Sequence, residues 1–65
     1  MSFSENLKSL RKLYKIDQAK LSKELNVSSK TISHWETGYT EPSISQLIMI
    51  ADFFDISLDE LVDRR

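Results

Sequence analysis

The sequence predicts an all-α domain of five short helices. Apolar residues recur at helical rather than alternating spacing, and β-branched residues are scattered. The 65 residues hold one glycine and one proline, both inside Gly38-Tyr39-Thr40-Glu41-Pro42, which is therefore the expected longer loop. Three boxes of the Ser-x-x-Glu/Gln kind, Ser2-Phe3-Ser4-Glu5, Ser43-Ile44-Ser45-Gln46 and Ser57-Leu58-Asp59-Glu60, mark three helix starts, because serine and the acid or amide satisfy each other's end of the first turn.

The first helix, from about Ser4 to Tyr14, places Phe3, Leu7, Leu10, Leu13 and Tyr14 on an apolar face and Lys8, Lys12 and Lys15 on another. The second, about Gln18 to Asn26, has Asp17 as its cap, buries Leu21 and Leu25, and ends on Asn26, which tolerates a left-handed backbone. The third is capped by Ser28 and runs to Thr37, where Gly38 stops it. Two helices joined by so short a turn form a helix-turn-helix. The fourth runs from the Ser43 box to about Phe54, and the fifth starts at the Ser57 box.

Composition narrows the function classes. A chain of this length buries only about 60% of its unfolded surface and is expected to form one domain, 1–65, with no second, effector-sensing unit. With 40% hydrophobic and 29% charged residues and no long apolar run, it reads as an ordinary soluble fold. Met1 to Leu10 is amphipathic and lacks a signal-peptide core, so a cytoplasmic location is expected. No cysteine and a single histidine leave no thiolate zinc site, histidine cluster or cysteine nucleophile. Neither a glycine-rich phosphate loop nor a paired nucleophile and base is present, so no enzyme, metal or cofactor is expected. The net charge of -1 conceals a division. Met1 to Trp35 carries seven cations against three carboxylates, and Glu36 to Arg65 carries two against seven. A basic half in a near-neutral chain presents a face to a polyanion.

Advancing 100° per residue along the third helix puts Ile32 and Trp35 on one side and Ser29, Lys30, Ser33, His34 and Thr37 on the other. The outward set holds hydroxyls, one ammonium and one imidazole, and no carboxylate. Such a face approaches phosphates and base edges without repulsion: lysine donates to guanine, hydroxyls donate or accept, and imidazole does either by tautomer. Trp35, beside Ile32, reads as core rather than as a stacking platform. In the fourth helix Leu47, Ala51 and Phe54 lie with Ile44 on the expected core side, flanked by Ile48 and Ile50. Met49 and Phe53 fall among polar residues and pair at i, i+4, which makes them the candidate homodimer interface.

Across roughly Leu7 to Val62 the chain resembles the Cro and phage-repressor type of helix-turn-helix proteins, the xenobiotic-response-element-like family. The resemblance lies in Asn6-Leu7-Lys8-Ser9-Leu10-Arg11, Gln18-x-x-Leu21-Ser22, Leu25-Asn26-Val27-Ser28, Thr31-Ile32-Ser33-His34-Trp35-Glu36-Thr37-Gly38, Glu41-Pro42-Ser43 and Ile56-Ser57-Leu58-Asp59-Glu60-Leu61. It implies a lambda-repressor-like fold with its DNA-binding unit at 18–37 and the third helix reading the major groove. It implies that Gln18 binds phosphate, that Ser29, Lys30 and His34 read bases, and that Ser33 and Thr37 reach sugar or phosphate. Ser28 joins this set at the head of the third helix, where backbone amides attract phosphate. It also implies a structural ion pair between Arg11 and Glu36. The chain departs from the family with Ser22 for the usual alanine, Asn26 for the usual glycine, and short side chains where relatives carry long ones.

The expected function is that of a sequence-specific DNA-binding transcriptional regulator, a repressor held as a homodimer on an inverted-repeat operator. The alternatives are the antitoxin of a toxin–antitoxin pair and a protein-interaction module on the same fold.

Overall fold

The computed structural model describes residues 2–62, so Asp63, one of the seven carboxylates of the second half, together with Met1, Arg64 and Arg65, lies outside the described residues. Five helices, and no strand among the described residues, follow in order: α1 Phe3–Leu13, α2 Gln18–Leu25, α3 Ser29–Thr37, α4 Ile44–Phe54 and α5 Leu58–Val62.

Local chemistry sets the helix starts. Ser2 and Ser43 cap α1 and α4 in complete capping boxes with Glu5 and Gln46, and Ser57 exchanges the same pair of hydrogen bonds with Glu60 at the head of α5. Asp17 and Ser28 cap α2 and α3 by accepting from the amides of Lys20 and Thr31. The three expected boxes are all formed.

The first four helices end alike. In each, a left-handed residue follows the last turn: Lys15 at φ 58°, Asn26 at 59°, Gly38 at 80° and Asp55 at 57°. The next residue's amide then reaches back five positions, Ile16 to Arg11 O, Val27 to Ser22 O, Tyr39 to His34 O and Ile56 to Ala51 O, at 2.9–3.2 Å. The left-handed residue's own amide bonds three back, completing the Schellman arrangement that satisfies the last carbonyls.

The core is built from Leu7, Leu21, Leu25, Ile32, Trp35, Ile50, Ala51, Phe54 and Leu61, sealed by the partly buried Ile16, Val27 and Ile56 that follow three of these turns. Against this core α3 packs on both α1 and α2, and α5 closes on α1 and α4. The Asn6 side-chain amide donates to Leu61 O at 3.0 Å, tying α5 to α1. Ser22, the departure from the usual alanine, is buried and donates to Ala19 O at 2.7 Å, so its hydroxyl costs the core no unpaired donor.

Five helical-wheel assignments, those of Leu13, Tyr14, Ile44, Ile48 and Phe53, are corrected. Leu13, expected on the apolar face of α1, is 72% exposed, because the helix ends there and Ile16 fills the core instead. Tyr14 is also exposed, although its ring meets Phe54 edge-on at 5.0 Å and its hydroxyl donates to Phe54 O. In α4 the buried arc is centred on Ile50 and Phe54, so Ile44, expected inward, is 75% exposed and Ile48 is exposed with it. Phe53, expected to face away, instead packs partly buried against the core with its ring 5.0 Å from that of Phe54.

Candidate nucleic-acid interface

α2 and α3 are joined by Asn26, Val27 and Ser28, the short turn of a helix-turn-helix. Asn26 makes it possible by taking the left-handed conformation that a β-branched residue resists, and Val27 plugs the corner against the core.

α3 is held by Ile32 and Trp35, both buried, and by Glu36. Arg11 donates to Glu36 through Nε, at 2.6 Å to Oε2, and through Nη2, at 3.1 Å to Oε1. Its Nη1 donates to Ile16 O at 3.0 Å, which ties the α1–α2 turn to the same guanidinium. The expected ion pair is thus present as a fork against a fork. The hydrogen bond to Glu36 raises the Arg11 pKa further above its already high value.

None of the expected DNA-facing residues is buried. Ser28, Ser29, Lys30 and Thr37 are exposed, and Gln18, Ser33 and His34 are partly exposed. The alternation of buried Ile32 and Trp35 with open Ser29, Lys30, Ser33 and His34 gives α3 one anchored side and one free of carboxylates.

Several of these side chains have commitments of their own. Ser28 accepts from the Thr31 amide at 3.1 Å and its hydroxyl is hydrogen-bonded to that of Thr31 at 2.9 Å, where either oxygen can donate, so it prepares the head of α3 with an uncharged cap. The head of α2 differs, since the Asp17 carboxylate already occupies the Lys20 amide at 2.7 Å. Of the two helix starts, α3 is the more open to an anion. Thr37 donates its hydroxyl proton to His34 O at 3.2 Å, which leaves its oxygen only as an acceptor. Gln18 Nε2 donates one proton to Glu36 Oε1 at 3.2 Å, so the start of α2 is braced by the Arg11–Glu36 pair while a second amide proton remains.

Two neighbours of the site were not drawn from the sequence. One is this Gln18–Glu36 link, which needs three elements to meet. The other is Tyr39, whose ring lies 4.7 Å from that of His34. Its position directly after Gly38 is the signal that would have found it, because a Schellman turn brings the residue beyond the glycine over the helix it closes.

The helix-turn-helix family matches residues 7–61, from the middle of α1 into α5. The chain belongs to the helix-turn-helix family. Its Cro and phage-repressor character is shared by solved structures. A transcriptional regulator from Listeria innocua superposes with TM-score 0.94 at 36% identity, over 98% of this chain and 60% of that one. The P22 c2 repressor, solved in complex with a synthetic operator, superposes with TM-score 0.89 at 35% identity, over 95% and 94% of the two chains. In sequence, the chain is 39% identical to the helix-turn-helix transcriptional activator BcrR of Enterococcus faecalis over 62 residues, 95% of this chain and 30% of BcrR. Across the first three curated relatives it spans from 30% to 57% of their length, so the similarity concerns the helix-turn-helix part of longer proteins.

Proposed function

We propose that this chain is a sequence-specific DNA-binding transcriptional regulator, most simply a repressor that occludes a promoter from an inverted-repeat operator. The observation that carries this is the two-sided α3: Ile32, Trp35 and Glu36 anchor one side, while Ser29, Lys30, Ser33 and His34 stand open, without a carboxylate, on the other. In this role Ser29, Lys30 and His34 face base edges, Ser33 and Thr37 reach sugar or phosphate, Ser28 and the first amides of α3 meet phosphate, and Gln18 spends its second amide proton on the backbone of the duplex. The role is one of binding and not of catalysis, and it belongs to the cytoplasm, on the nucleoid when DNA is bound.

The protein acts as a homodimer with half-sites about 34–36 Å apart, one turn of the duplex. With Phe53 packed on the core, the surface that joins two copies is the exposed apolar side of α4, Met49 together with Ile48 and Ile44.

Selection from randomised duplex DNA, repeated over a range of salt concentrations with Lys30→Ala and His34→Ala beside the parent, tests this function. An enriched palindrome that weakens at defined base pairs in each variant supports it. Motif-free binding with the same salt slope in all three proteins overturns sequence-specific reading and leaves only backbone contact.

A further inference from the structure

Four helices end in the same turn, but they use its last residue differently. Ile16, Val27 and Ile56, which follow the left-handed residues of α1, α2 and α4, are aliphatic and pack against the core. The equivalent residue after α3 is Tyr39, and it is 76% exposed. Its ring seals nothing. Instead it sits 4.7 Å from the imidazole of His34, tilted by 53°, while its amide holds His34 O at 2.9 Å. Thr40 N and the Thr37 hydroxyl donate to the same carbonyl at 3.4 and 3.2 Å. Backbone and side chain of His34 are therefore both in contact with the segment that Gly38 turns back over α3.

We propose that Tyr39 is a positioning residue for DNA sequence reading: its ring holds the His34 imidazole in one orientation on the open face of α3, so that preference at the base pairs facing His34 depends on Tyr39. The proposal rests on the DNA-binding function above. An imidazole has few rotatable bonds but two distinct nitrogens, and which one meets a base edge is set by the ring's orientation. An aromatic neighbour fixes that orientation at little entropic cost. The substitution Tyr39→Ala removes the ring and leaves the Tyr39 amide bond to His34 O in place.

The test is competition binding of the selected duplex against its single-base variants, with the parent, His34→Ala, Tyr39→Ala and Tyr39→Phe. His34→Ala identifies the base pairs under His34. Tyr39→Ala is expected to relax discrimination at those pairs by about fivefold, the scale of one aromatic pair, and to leave the other pairs alone, while Tyr39→Phe keeps the parent's pattern. Nuclear Overhauser contacts between the two rings in the DNA-free parent are expected as well, and their absence overturns the proposal whatever the variants do. Equal loss of affinity for all duplexes in Tyr39→Ala makes Tyr39 a backbone contact and also overturns it, as does a Tyr39→Phe that behaves like Tyr39→Ala. A parent that selects no motif removes the DNA-binding function itself, whereas a selective parent matched by Tyr39→Ala removes only the role of Tyr39.

Discussion

Arg11 on α1 and Glu36 on α3 meet through two parallel hydrogen bonds, with side chains only 13% and 3% exposed. That pair fixes the recognition helix to the rest of the fold, and it also carries Gln18. Removing one partner strands a charge away from water. Glu36→Gln or Arg11→Met is expected to lose about 3 kcal/mol, a large part of the stability of so small a domain. Changing both residues together to apolar ones should recover much of the loss. Urea denaturation of the single and double variants measures this, and a single variant as stable as the parent would contradict it.

Lys15 holds a left-handed backbone at φ 58° with an exposed, unbranched side chain. Such a conformation is costly for lysine and free of steric cost for glycine. Lys15→Gly should therefore raise stability by about 0.5–1 kcal/mol, seen as a rise of a few degrees in the thermal midpoint. A lower midpoint would show that the Lys15 side chain contributes more than its backbone costs.

Gln18 and Lys30 should fail differently. Gln18→Ala removes a neutral donor, so affinity should fall alike for all duplexes with the salt slope unchanged. Lys30→Ala should relax preference at one base pair, as its place among the base-edge residues requires, and a fall in the slope by about 1 with preference intact would put the ammonium on phosphate instead. Binding titrations at several salt concentrations separate the three outcomes.

The carboxyl of Glu5 accepts from the Ser2 amide at 3.0 Å and the Ser2 hydroxyl at 3.3 Å, and these bonds hold its pKa below the usual glutamate range. A carboxyl depressed on folding adds stability that is present above the unfolded glutamate pKa and fades as pH falls through the lower folded value. Protection of the first-turn amides of α1, taken relative to their intrinsic exchange rate at each pH, should fall across that acidic window. Glu5→Gln, which keeps an accepting oxygen without a titrating proton, should abolish that part of the pH dependence.

Ile44 and Ile48 form an exposed pair one turn apart on α4, with Met49 beside them. Ile48→Lys should shift sedimentation toward the monomer at tens of micromolar and weaken operator binding without changing the preferred sequence. A parent that is already monomeric at that concentration and binds the operator as one copy would refute the α4 interface.

Much of this was legible in the residues themselves, because helix ends are local. Ser2, Asp17, Ser28, Ser43 and Ser57 each choose a start through an oxygen three residues from the amide it accepts, and Asn26 and Gly38 end their helices by conformations few residues adopt. The open and anchored sides of α3 followed from the 3.6-residue period, since Ile32 and Trp35 dominate any burial of so short a helix. The same arithmetic misplaced Ile44, Leu13 and Phe53. On α4 eight of the eleven residues are apolar, so periodicity does not say which arc turns inward, and the packing of α5 and α2 against α4 selects the arc of Ile50 and Phe54. Sequence alone thus determined the helices, their caps and the chemistry offered on α3. Tertiary structure decided which apolar residues are buried, that Gln18 leans on Glu36, and that Tyr39 lies on His34, since each depends on where separate elements meet and no local rule encodes that.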